Sequence, residues 1–138
     1  MITSGNRITW FLPEPWVWTD PTGRVWHDAV AQADNEGPYA SGMTLDDTLG
    51  IALPNRSGTL GKWTLGGWWK VTFPDLKVTA TIRQVDIGPD TGVIDLNAPL
   101  AYAMVGSPGA LVDRSQWTAS YLGSSLPDGE TEGVVKEG

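Results

Sequence analysis

The stretch Thr81-Ile-Arg-Gln-Val-Asp86-Ile-Gly88-Pro89, followed by Thr91-Gly-Val-Ile-Asp95-Leu96 and by Asn97-Ala-Pro99-Leu-Ala-Tyr-Ala-Met-Val105-Gly106, decides the fold. Its first part ends an alternating run over Lys77–Val85. Val78, Ala80 and Ile82 fall on one side; Lys77, Thr79, Thr81 and Arg83 fall on the other. Period-two alternation marks a half-buried β-strand. Just upstream, Gly67–Phe73 alternates in the same way, with Trp69, Val71 and Phe73 opposite Trp68, Lys70 and Thr72. Pro74-Asp75 separates the two runs, which read as a hairpin. Gly92–Leu96 reads as a short third strand. Asn97 then offers a capping oxygen, Pro99 suits a first helical turn, Leu100–Val105 is apolar, and Gly106 suits a C-terminal stop.

Outward from this centre the pattern weakens. Gln116–Leu122 alternates loosely and reads as a further strand of the sheet. The first third reads as irregular, because Pro13, Pro15, Pro21 and Pro38 each push the preceding residue away from helix. Asp20-Pro21-Thr22-Gly23 is a turn signal. His27–Ala33 is compatible with one or two helical turns before Gly37-Pro38. The expected organisation is one domain over residues 1–123 and an acidic flexible tail over 124–138.

Composition supports a mainly β chain and excludes several classes. Of 138 residues, 17 are Gly and 10 are Pro, which a helical bundle does not tolerate. There is no Cys, so disulfide scaffolds and thiolate zinc sites are excluded. The formal charge of −7 argues against a binder of nucleic-acid backbones. That charge divides as −5 over residues 1–50, +1 over 51–127 and −3 over 128–138. His27 is the single His, which leaves no basis for a His-rich metal site, and no cofactor or metal is expected. Asp86, Asp90 and Asp95 lack the spacing of a calcium loop. No apolar run is long enough to span a membrane. The N-terminus lacks the pattern of a secretory leader, so the expected place of synthesis is the cytoplasm.

The central segment resembles the double-psi β-barrel family of rare lipoprotein A, the expansins and related peptidoglycan-acting domains. The family signature in bacteria is a strand, Asn-Asp-Arg-Gly-Pro, a short Gly-bearing loop, Ile-Asp-Leu-Ser and a short Ala-rich helix ending in Gly. Gln84 to Pro89, Ile94-Asp95-Leu96-Asn97 and Ala98–Gly106 follow that order and spacing. Ile8-Thr9-Trp10-Phe11, Tyr39-Ala40-Ser41-Gly42, Gly50–Pro54 and Leu60-Gly61-Lys62 are similar to earlier family segments. The resemblance implies a six-stranded double-psi β-barrel with one or two short helices. It also implies a glycan-strand substrate, peptidoglycan above all, with either lytic-transglycosylase-like cleavage or binding alone.

The acid/base role of the family falls on Asp86, with Asp46 on another family acid. The family Glu is replaced by Met43, the His by Leu53 and the Arg by Ile87. By strand parity Asp86 continues the inward side of Val78, Ala80, Ile82 and Gln84. An Asp before Gly-Pro is equally suited to accepting from turn amides, so both roles stay open. Asp95, two residues before the helix cap, suits bonding to the loop or helix start.

The expected glycan contacts are Trp68, Trp10, Asp95 and Gln84, with Trp68 the best platform because it shares a face with Lys70 and Thr72. Trp69 is expected in the core. Trp16, Trp18 and Trp26 fit a lid packed on the barrel, a glycan groove or a protein interface equally well. A wall-acting chain without a leader suggests a phage or prophage virion component, and short phage proteins with similar Asp-Ile-Gly-Pro and Ile-Asp-Leu patterns agree with that. The alternative is a non-catalytic structural or interaction module of a virion or other assembly.

Overall fold

A computed structural model describes residues 2–12, 17–27, 49–54, 64–88, 92–107, 110–111 and 113–137. The elements in these ranges are β1 (Ile2–Gly5), β2 (Arg7–Phe11), β3 (Val17–Thr19), β4 (Val25–His27), β5 (Gly50–Pro54), β6 (Trp68–Phe73), β7 (Val78–Gly88), β8 (Val93–Asn97), α1 (Ala98–Val105), β9 (Trp117–Gly123) and β10 (Gly133–Lys136). The helical turns expected after His27 lie outside the described residues.

The protein is mainly β with one α-helix among the described residues. The predicted hairpin is β6–β7, paired from Trp68↔Arg83 to Phe73↔Val78. A 3₁₀ turn over Pro74–Leu76 joins the two strands, and Lys77 follows it with φ 55°. Trp69, Val71, Phe73, Ala80 and Ile82 are fully buried, as alternation requires. The helix forms as its punctuation dictates. Asn97 Oδ1 accepts from the Leu100 amide (3.0 Å). Gly106, at φ 79°, donates its amide to the Tyr102 carbonyl. Leu100, Ala101 and Met104 of α1 enter the core.

Eight strands form one sheet in the order β1-β9-β6-β7-β5-β8-β2, with β10 also on β7. This differs from the six strands expected, and the pairing path among the described residues is open. Its two ends, β1 and β2, are nevertheless consecutive in the chain and separated by Asn6 alone. The Gly92 carbonyl accepts from the amides of Asn6 (3.1 Å) and Arg7 (3.2 Å) at this junction. The buried Trp117 indole N–H donates to the carbonyls of Arg7 (3.1 Å) and Gly92 (3.2 Å). Only glycine fits at position 5, where a Cβ would lie 2.2 Å from the Gly92 carbonyl oxygen.

Two expectations are corrected. The folded part does not stop at residue 123, because Gly133–Lys136 pairs antiparallel with β7. Lys70 Nζ also meets Glu130 Oε1 at 2.8 Å. The first third is not irregular throughout. β3 and β4 form a separate hairpin whose turn is the Asp20-Pro21-Thr22-Gly23 signal. The Gly23 amide donates to the Asp20 carbonyl (2.9 Å), with Gly23 at φ 89°. The Asp20 carboxylate accepts from the Thr22 hydroxyl (2.5 Å), the Trp26 indole (3.0 Å) and the amides of Thr22 (2.8 Å) and Arg24 (3.1 Å). On the core side of the hairpin, Trp26 meets Trp10 edge-on at 5.5 Å and Trp18 meets Tyr102 at 5.8 Å. These two tryptophans therefore pack back on the sheet. Trp16 lies outside the described residues.

The Thr22 hydroxyl, and then the Trp26 indole and the backbone amides, hold the Asp20 carboxyl down at about 2 against an ordinary 3.8. A depressed folded-state pKa stabilises the fold above the unfolded value and ceases to do so as pH falls through the folded value. The hairpin contribution is therefore present above about pH 4 and lost on acidification toward pH 2. Urea midpoints followed by Trp fluorescence between pH 5 and pH 2 will decline in the wild type. Part of that decline will be absent in Asp20→Asn, and identical profiles would refute the assignment.

Candidate functional site

Two neighbouring rows of residues cross the strands β7-β5-β8-β2. One is Gln84, Ile51, Leu96 and Trp10, all of them buried. The next is Asp86, Ala52, Asp95 and Thr9, which occupies the opposite face. The change of face in β7 comes from an irregularity. Gln84 pairs with Ile51 and Asp86 with Ala52, so β7 spends two residues where β5 spends one. Val85 is the extra residue of this bulge. A bulge re-aims the side chains beyond it, and Asp86 thereby leaves the inward side that simple parity assigns to it. The correction has a clear physical basis, since an unpaired carboxylate in the apolar core would be strongly penalised.

On this outer face Phe11, Ala52 and Val85 form a small buried cluster separate from the main core. Asp86, Asp95 and Thr9 are each half-buried around it. The Thr9 hydroxyl donates to Asp95 Oδ1 across the β2–β8 pair. Asp86 Oδ1 accepts from the Ile87 amide (2.9 Å). With strands about 4.8 Å apart, the Cα atoms of Asp86 and Asp95 are separated by about 10 Å, and Thr9 lies one strand further. The result is a line of hydroxyl and carboxylate oxygens on a rigid sheet. Carboxylates accept from hydroxyl groups with charge-assisted strength, and spacing of this order suits a ligand that presents hydroxyl groups at two separate points.

The remaining candidates separate clearly. Gln84 is fully buried. Its Oε1 accepts from the Thr64 hydroxyl (2.5 Å) and the Trp69 indole (3.2 Å), and its Nε2 donates to the Asp86 carbonyl (3.4 Å). It is a core strut, not a glycan contact. Trp10 is likewise buried against Trp26, which corrects its assignment to binding. Trp68 is half-buried beside Arg83, whose guanidinium lies 5.2 Å from the ring centroid. Arg83 is anchored in turn by donating Nε and Nη2 to the Gly66 carbonyl (3.2 and 3.1 Å). Asp46 and Asp47 lie outside the described residues, as do Asp90, Trp63, Met43 and the segments at 39–42 and 60–62.

Thr9 was not singled out by sequence reasoning. Its only signal was its position as the polar member between Ile8 and Trp10, which puts it on the outer side of an alternating strand. Leu53, which the sequence resemblance sets against a His, is fully buried on the inner side of β5.

Comparison with solved structures places the fold. The chain is similar to the apo form of the expansin of Clavibacter michiganensis, with a TM-score of 0.55 and 18% identity over 95% of this chain and 53% of that one. It is also similar to a single-residue mutant of that expansin in complex with cellohexaose, with a TM-score of 0.56 and 19% identity over 95% of this chain and 54% of the other. The chain thus spans about half the length of the expansin it matches. No protein-family model matches the sequence, and neither does any curated protein. Among the described residues no helix is long and apolar enough to cross a membrane.

Replacing Gln84 by Met keeps the length of the side chain but leaves the Trp69 indole and Thr64 hydroxyl without their acceptor. We expect a loss of about 2 kcal/mol or more in urea-derived stability. An unchanged midpoint would refute the role of Gln84 as a core strut.

Proposed function

We propose that this chain is a glycan-strand-binding domain of the closed double-psi β-barrel type, and that its glycan is peptidoglycan. The observation that carries the reading is the row Asp86–Ala52–Asp95–Thr9, which aligns two carboxylates and a hydroxyl on one outer sheet face. The barrel form is supported by the Asn6 junction, which joins the two ends of the sheet through the chain itself. Glycan binding is supported by the similar expansin mutant in complex with cellohexaose. Trp68 supplies a flat apolar surface on the same side of the sheet as Arg83 and suits stacking on a sugar ring.

Binding without bond cleavage is the preferred form of the proposal. The position matching the family His is Leu53, an apolar residue sealed in the core, which supplies no imidazole for acid/base work. The Asp86 and Asp95 carboxylates accept from the Ile87 amide and the Thr9 hydroxyl, which orient them as acceptors for hydroxyl groups. The chain will co-sediment with purified sacculi and release no muropeptides. Asp95→Asn and Asp86→Asn will each weaken binding about tenfold, the loss expected for one charged hydrogen-bond partner. Failure of the wild type to co-sediment refutes the proposal, and muropeptide release abolished by Asp86→Asn replaces binding with cleavage.

A second reading, as a subunit of a virion or other assembly, is favoured by Val17 and Val25, which stand 47% and 53% exposed on the outer side of the β3–β4 hairpin. It predicts a stable oligomer in light scattering and the presence of the chain in purified phage particles by mass spectrometry. A monomer absent from particles excludes it.

A further inference from the structure

A second polar recess lies beyond the row, at the Asn6 junction. It encloses about 650 Å³ and is lined by Asn6, Arg7, Asp75, Asp113, Arg114 and Gln116. Every lining side chain ends in a planar polar group. Both acids of the lining, Asp75 and Asp113, accept hydrogen bonds. Asp113 takes both prongs of the Arg7 guanidinium, with Nε to Oδ1 at 3.2 Å and Nη2 to Oδ2 at 3.1 Å. Asp75 Oδ2 accepts from the Gln116 amide (3.0 Å). Arg114 is different, since its exposed guanidinium makes no hydrogen bond or ion pair with a described residue. The side-chain amides of Asn6 and Gln116 likewise make no hydrogen bond with a described residue. The capacity left open in the recess therefore lies mainly in donors grouped around one fixed-charge fork.

We propose that this recess is a carboxylate-binding subsite centred on Arg114, which takes an acidic substituent carried by the glycan. A guanidinium presents parallel N–H groups that match the two oxygens of a carboxylate, and Asn6 and Gln116 add neutral donors beside it. The placement connects the recess to the row. Arg7 and Thr9 are two apart on β2 and share its outer face, so the recess begins about 7 Å along the strand from Thr9. The inference rests on the glycan reading and sharpens it. Peptidoglycan carries peptide stems with free carboxylates, whereas cellulose is neutral. A row that grips hydroxyls and a neighbouring fork that grips a carboxylate together select the peptide-bearing polymer.

The two layers of the reading are tested separately. Titration of the full chain with N-acetyl-alanyl-alanine, followed by NMR, will shift the Arg114 Nε–H signal and the side-chain amide signals of Asn6 and Gln116. The C-terminally amidated dipeptide will not, and Arg114→Ala will abolish the response. In co-sedimentation, Arg114→Ala will lose about tenfold in affinity for intact sacculi while keeping wild-type affinity for sacculi stripped of peptides. Arg114→Lys will recover only part of the loss, because an ammonium lacks the fork. The subsite is overturned if the dipeptide and its amide behave alike, or if the wild type binds intact sacculi and Arg114→Ala binds them equally well. Loss of all sacculus binding in the wild type, with the dipeptide response intact, refutes the glycan reading and keeps the carboxylate subsite. Arg114 is exposed and outside the core, so its variants are expected to fold.

Discussion

The carbonyl of Gly92 is the point on which the architecture depends. It accepts from two successive amides, Asn6 and Arg7, and from the indole of Trp117. β1 leaves this point to pair with β9, and β2 leaves it to pair with β8, at the opposite end of the sheet. One carbonyl thus holds the N-terminal strand while its two halves serve the two ends of the sheet. Gly92 is half-buried, and its carbonyl would carry part of its desolvation penalty if it lost these partners. The close approach also explains why position 5 is glycine, since any Cβ there would collide with the backbone of Gly92.

The same economy of backbone geometry produces the site. One extra residue in β7, Val85, turns an inward strand into one that presents Asp86 outward, in line with Asp95 and Thr9. The inner side of the bulge is filled by Gln84, which satisfies two buried donors and touches the Asp86 carbonyl from below. Core and site are therefore built from adjacent residues on opposite faces. The recess at Arg114 extends the polar surface from this row to the chain junction, so that junction and the proposed recognition surface share Asn6 and Arg7.

Among the described residues, tryptophan is used chiefly for packing. Trp69 and Trp117 fill the core, and Trp10 and Trp26 pack edge to face between sheet and hairpin. Trp18 docks on Tyr102 of the helix. Trp68 is half-buried, with the Arg83 guanidinium over its ring at 5.2 Å from the centroid. The hairpin is itself pinned by Asp20, whose carboxylate organises the turn and receives the Trp26 indole.

The amino-acid sequence by itself determined the central hairpin, the strand before the helix, and the helix with both its caps. These are local, because alternation, an Asn cap and a terminal Gly act within a few residues. It also marked Asp86 and Asp95 as residues of interest and Trp69 as core. Only the tertiary structure decided which way Asp86 faces, because a bulge is a property of two strands and has no signature in one. Only it showed that Gln84 and Trp10 are buried, that Thr9 partners Asp95 and that Gly133–Lys136 joins the sheet. Those contacts bring together residues between 15 and 86 positions apart, with the last strand pair at 52 to 58, and such pairing is chosen by packing and hydrogen-bond satisfaction, which no local pattern records.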